Sequence, residues 1–226
     1  MKHFLAIVVL ALPFAARAEH PSKRLNAAAD VLSEVMSAPD RGIPRDLVSR
    51  AQCIVVVPGL KGGAFVFGGK YGKGFFSCRK NYGWSAPASV RVEAGSVGFQ
   101  IGAIETDLVL LVMNRKGANR LLTDQFTLGS QGEVAGGPVG RSTTAQTDAS
   151  MRAEMLSWSR SRGAFAGISL QGSTLRQDVD DNADIYGSPL RNKQIVYGNV
   201  AWPAQASELH SVLDRYAAIP RHLKHR

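Results

Sequence analysis

Residues 61–76 read KGGAFVFGGKYGKGFF, with glycine at six of sixteen positions and three lysines among five aromatics. A loop that wraps phosphate and a twisted β-hairpin share this composition, and the neighbouring positions separate them. Before Gly69-Lys70 a Walker loop requires glycine five positions earlier and Ser or Thr after the lysine; Ala64 and Tyr71 stand there instead. After Gly72-Lys73-Gly74 the dinucleotide pattern requires a glycine where Ser77 stands, and a helix that does not follow. The stretch therefore reads as a hairpin, with strands over 64–68 and 74–79 and Lys70-Tyr71-Gly72-Lys73 at its tip.

The sequence on either side continues the β pattern. Cys53 to Val57 is an apolar run closed by Pro58-Gly59, and 89–93, 95–104 and 107–113 read as further short strands. From Met155 to Arg162 the chain alternates strictly, Ser157, Ser159 and Ser161 facing one way and Leu156, Trp158 and Arg160 the other; 165–170 follows as another strand. Short strands divided by glycine predict a strongly twisted antiparallel sheet or a partly closed barrel. Helical spacing flanks it. Leu25, Ala28, Ala29, Leu32, Val35 and Met36 form one apolar stripe over 22–36, Pro44 opens a short helix, and Leu209, Val212, Leu213 and Tyr216 define a C-terminal one. The class is α+β, one domain, divided into a leader (1–18), N-terminal helices (19–50), a β-rich core (51–190) and a C-terminal strand or helix with a basic tail (191–226).

The leader has Lys2, an apolar run from Phe4 to Ala16 and the small-x-small site Ala16-Arg17-Ala18. That pattern predicts a secretory signal peptide cut after Ala18, and with it a periplasmic, envelope-associated or extracellular protein. Removing Lys2 and Arg17 lowers the formal charge of +9 to +7, which favours anionic partners. These are lipid headgroups, nucleic acid or acidic glycans, and export makes nucleic acid the least suitable of them. Cys53 and Cys78 fall in strand-like runs. In an oxidising compartment they are either a disulfide, constraining the unfolded chain by about 3 kcal/mol, or two buried thiols.

Signals for chemistry are sparse. All five histidines lie outside 53–190, so a Ser-His-acid triad or a histidine-held metal would need the terminal segments. Asp178-Val179-Asp180-Asp181 begins like a calcium loop but has Ala183 where that loop needs glycine and Pro189 where it needs glutamate. Asp178 reads instead as the N-cap of a helix running through Tyr186 and ended by Gly187. Carboxylate chemistry at Glu105, Asp107 or Asp124 has only their turn-like location behind it. The reading is no enzyme, no cofactor and no metal. Lys61, Lys70, Tyr71 and Lys73 combine ammonium groups with an aromatic ring, a composition suited to an anionic headgroup layer. Lys23 and Arg24 add charge in the first turn of the 22–36 helix, whose stripe either packs on the domain or lies on a membrane. A second basic-aromatic run, Arg79-Lys80-Asn81-Tyr82-Gly83-Trp84, belongs to the next turn, at the opposite end of the strands.

The series CIVVVPGLKGGAFVFGGKYGKG (53–74), GWSAPASV (83–90), GSVGFQIGAIETDLVLLVMN (95–114), GPVGR (137–141), MRAEMLSWSRSRGAFAGISLQGS (151–173) and DNADIYG (181–187) resembles the SYLF domain family of lipid-binding and actin-regulator domains. The likeness runs from about Ala29 to Tyr186. It implies one compact domain with a β-rich core and flanking helices, and it brings no catalytic residues. Eukaryotic members sit beside SH3 or FYVE modules and bind phosphoinositide-containing membranes, and some bind actin. In related proteins the helix before the first core strand, here 22–36, is linked to membrane contact. With an export signal in place of those modules, the resemblance implies other anionic phospholipids as ligand and no actin partner. The alternative is an envelope scaffold that recognises a protein partner.

Overall fold

The computed structural model describes residues 20–38, 42–64, 67–81, 83–97, 102–138, 153–161, 164–167 and 170–217. The proposed leader and the basic tail after Ala217 lie outside the described residues.

Among the described residues ten strands form one sheet: β1 (Cys53–Ala64), β2 (Phe67–Lys80), β3 (Gly83–Trp84), β4 (Ala88–Val97), β5 (Gly102–Val112), β6 (Gln125–Thr127), β7 (Val134–Gly136), β8 (Met155–Ser161), β9 (Ala164–Gly167) and β10 (Thr174–Gln177). Their spatial order is β6-β10-β4-β2-β1-β5-β8-β7, with β3 on β2 and β9 on β8. All pairs are antiparallel except β7 with β8. The outer strands β6 and β7 follow each other in sequence, joined by Leu128 to Glu133 with a bridge between Leu128 and Gly132. So short a link spans at most about 20 Å, which brings the two edges of the sheet toward each other and curls it into a half-barrel.

Both faces of the central strands are apolar because both are covered. Ile54, Val56, Phe75, Val109, Leu111, Leu156 and Trp158 face the helices, where they meet Leu25, Ala28, Leu32 and Val35 of α1 (Pro21–Ser37), Leu47 and Val48 of α2 (Arg45–Arg50), and Leu209, Val212 and Leu213 near the C-terminus. Val55, Val57, Phe76, Val90, Val92, Leu108, Leu110 and Met155 line the inside of the curl. The inside is filled further by Leu121 of α3 (Arg115–Leu121) and by Ile195 and Val196. This explains the unbroken run Leu108 to Val112, every residue of which is buried. The remaining helices are α4 (Val179–Tyr186), α5 (Asn192–Tyr197) and α6 (Ser207–Tyr216), the last preceded by a 3-10 turn at Ala204–Ala206. Asp178 caps α4, accepting from Asp181 N at 3.2 Å, and Gly187 ends it at φ +70°.

The hairpin reading of 61–76 holds with its turn displaced. β1 runs to Ala64 and β2 starts at Phe67, so the connection is 65–66, outside the described residues, and Lys70 to Lys73 lie within β2 rather than at a tip. The glycines are present for room. A Cβ at Gly74 would stand 2.2 Å from the Val56 carbonyl oxygen and 2.7 Å from Val57 Cα, and one at Gly72 would stand 2.8 Å from Leu60 Cδ1. Here β1 bulges between Val57 and Leu60, at Pro58-Gly59, and folds over β2 where the side chains are missing. The span 95–104 is likewise two strands rather than one: β4 ends at Val97 and β5 starts at Gly102 on the far side of the β1–β2 pair. Among the described residues after Arg191 there are helices and no strand.

Cys53 and Cys78 are direct partners across β1 and β2 and are joined in a disulfide.

Candidate functional site

On β1 and β2 the residues singled out from sequence divide by face. Lys61 and Tyr71 are cross-strand partners on the helix-facing side of the sheet, with Glu105 beyond Lys61 and Glu93 beyond Tyr71. Lys70, one residue from Tyr71, points to the other side. All three are exposed, Tyr71 by 47%, one of two large apolar or aromatic side chains so open among the described residues. Lys61 and Lys70 have no salt-bridge partner among the described residues.

Lys73 and Arg24 serve a different purpose. Arg24 is buried, 5% exposed, and pairs with Asp181, while its guanidinium sits 5.5 Å from the Phe75 ring. Lys73 Nζ stands 2.8 Å from Asp178 and 3.2 Å from Asp181. Burial disfavours the Lys73 charge, but the hydrogen bond to Asp178 and the charges of Asp181 and Asp178 outweigh it and hold its pKa above the ordinary 10.5. These two cations are spent on locking α1 and α4 to the sheet, and the structure removes them from the surface set. The apolar stripe of α1 is consumed in the same way: Leu25, Ala28 and Val35 are wholly buried, so the helix packs on the domain instead of presenting that face outward.

Lys23 keeps an exposed position. With Lys61 it lines a cleft of about 1030 Å³ between α1 and the sheet, which also holds Asp30, Glu34, Glu105, Asp107 and Arg160. Arg160 bridges Glu34 of α1 and Asp107 of β5, 2.6 Å from the latter. Asp107 also accepts from Gly59 N at 3.0 Å. Carboxylates outnumber the lysines here, so the cleft as a whole does not favour an anion. Of the carboxylates considered for catalysis, Asp107 is thus held in an ion pair, and Asp124 pairs with Arg191 at 2.9 Å. Among the described residues no group of His, Cys, Asp or Glu is arranged to hold a metal ion. No described helix is long and apolar enough to cross a membrane.

At the opposite end of β1 and β2 the surface has a different character. Arg79, Lys80 and Arg115 come together with Tyr197 around two adjoining hollows of about 300 and 500 Å³, and no carboxylate lines either. Sequence reading saw the Arg79–Trp84 run but not the rest, since Arg115 and Tyr197 arrive from α3 and α5, far along the chain.

The sequence model of the Ysc84 family, described as Las17-binding protein actin regulator, matches residues 93–216. The chain belongs to the Ysc84 (SYLF) family. An SH3 domain-containing protein of Schizosaccharomyces pombe is 38% identical over 177 residues, 76% of this chain and 41% of its own length. The SH3 domain-containing YSC84-like protein 1 of Xenopus laevis is 34% identical over 184 residues, 80% of this chain and 54% of its own. LAS seventeen-binding protein 3 of Saccharomyces cerevisiae is 33% identical over 183 residues, 79% and 39%. This Ysc84 chain thus spans about half or less of the curated relatives it matches.

Proposed function

We propose that this Ysc84-family chain is an exported, non-catalytic binding domain of the cell envelope that associates with anionic phospholipid surfaces through Lys61, Lys70 and Tyr71. The observation that carries the reading is Tyr71, nearly half exposed, with Lys61 beside it across the strand pair and Lys70 exposed on the opposite face, neither lysine held in a salt bridge among the described residues. At a headgroup layer an exposed aromatic ring gains by partial burial, and each exposed basic residue gains roughly 1 kcal/mol. Export rests on residues 1–18 and makes bacterial-type anionic lipids, rather than phosphoinositides or actin, the fitting partners.

Co-sedimentation with vesicles tests it. Binding to phosphatidylglycerol vesicles that weakens steeply between about 0.1 and 0.5 M salt, with none to phosphatidylcholine, is the expected result. Binding indifferent to lipid charge and salt would exclude the electrostatic mechanism.

A second reading, a scaffold that docks a protein, is favoured by the names of the relatives, which describe Las17 binding and proteins that contain an SH3 domain. Reproducible recovery of one envelope protein with no vesicle binding would select it.

A further inference from the structure

We infer that the groove at the Arg79 end of the sheet is a binding site for a phosphate group, separate from the Lys61–Lys70–Tyr71 surface. The two regions lie on the same strands but far apart: Cys53, beside the groove, and Lys61 are separated by about 25 Å of extended chain.

Arg79 is the core of the site. Its Nε donates to Ala51 O at 2.7 Å and its Nη2 to Val48 O and Ser49 O at 3.0 and 2.9 Å, closing the C-terminal end of α2. The guanidinium lies 4.5 Å from the Trp84 ring, which fixes its plane. Nη1 is left buried with no hydrogen-bond partner, and an unpaired buried donor on a charged group is costly. Burial with no facing carboxylate pulls the Arg79 pKa down to about 10. The buried Arg24, by contrast, has a carboxylate in Asp181. Arg79 has three carbonyls and a vacancy of charge.

The surroundings complete an anion site. Arg115 is exposed with no partner among the described residues, and Lys80 is held in place by the Gly198 carbonyl. Asn81, Asn119 and Asn199 add amide donors, and Tyr197, 59% exposed, donates to Asn119 Oδ1 at 3.1 Å and roofs the junction of the two hollows. Planar guanidinium groups with several amides and no acid suit a group with several anionic acceptor oxygens, phosphate above a lone carboxylate. The polarity of the lining fits a phosphate ester's headgroup rather than an acyl chain.

The site is tested on the whole chain, isotope-labelled, by titration with inorganic phosphate against chloride at matched ionic strength, reading backbone amide shifts. Saturable shifts at Arg79, Tyr197 and their neighbours are expected with phosphate and not with chloride. Arg115→Glu, a substitution at an exposed position, should weaken them about ten-fold or more without altering the melting temperature. Arg79→Lys, which keeps the charge but not the fork, should weaken them too. A parallel titration with phosphatidylglycerol vesicles identifies the source: perturbation of the same amides points to a lipid headgroup, and phosphate alone to a soluble phosphate compound. Absence of saturable shifts with both probes, or undiminished affinity in Arg115→Glu, overturns the site. Either result leaves the Lys61–Lys70 surface untouched, because that surface is read by vesicle binding of its own variants.

Discussion

Lys73 shows how a residue's chemistry can be legible while its role is not. Lysine beside tyrosine in a glycine-rich stretch reads as a surface cation, yet its ammonium reaches Asp178 and Asp181, more than a hundred positions away. Its pKa is raised, so its contribution to stability is fully present below pH 10.5 and is lost as pH rises through the higher folded value. The stability advantage of the unchanged chain over Lys73→Met should therefore be constant near neutrality and shrink above about pH 10.5, measured as urea midpoints across pH. Arg24 is the stricter case because it is buried. Asp181→Ala removes the buried carboxylate that pairs with both Arg24 and Lys73 and should cost about 3–5 kcal/mol in urea unfolding, whereas exposed Lys23→Ala should cost almost nothing. Gly74→Ala places a methyl against the Val56 carbonyl and Val57 Cα, backbone atoms that cannot turn aside, and a loss of about 1–3 kcal/mol or more follows.

At the scale of elements, the β1–β2 pair is held both by its ladder and by the Cys53–Cys78 bridge, which closes a loop of sequence separation 25. Reduction should lower unfolding free energy by about 3 kcal/mol on the loop-entropy view, read by calorimetry with and without reductant. The same pair shows what sequence conveys about elements. Alternation in Met155 to Ser161 and the apolar stripe of α1 were readable because each face meets a single environment. The hairpin was readable as a hairpin, but its turn was misplaced, since glycine signals a bend and glycine accommodating a bulge look alike in composition. The short strands β6, β7 and β10 carry three or four residues each, too few for any periodicity. The helix α4 was legible from its cap and its closing glycine alone.

For the whole molecule, curling the sheet puts its two ends to different uses. One end carries Lys61, Lys70 and Tyr71, beside a cleft where lysines and carboxylates mingle. The other carries Arg79, Lys80 and Arg115 without an acid. Sequence supplied the lysine end because its residues are contiguous, and could not supply the arginine end, assembled from β2, α3 and α5. Membership of the Ysc84 family establishes the domain, and the surface decides what it meets. The most direct measurement is the affinity of the double variant Lys61→Glu/Lys70→Glu for phosphatidylglycerol vesicles, set against the unchanged chain. The account predicts a loss of at least about thirty-fold, from roughly 1 kcal/mol per basic residue, with an unchanged melting temperature. Vesicle binding as tight as that of the unchanged chain would contradict it.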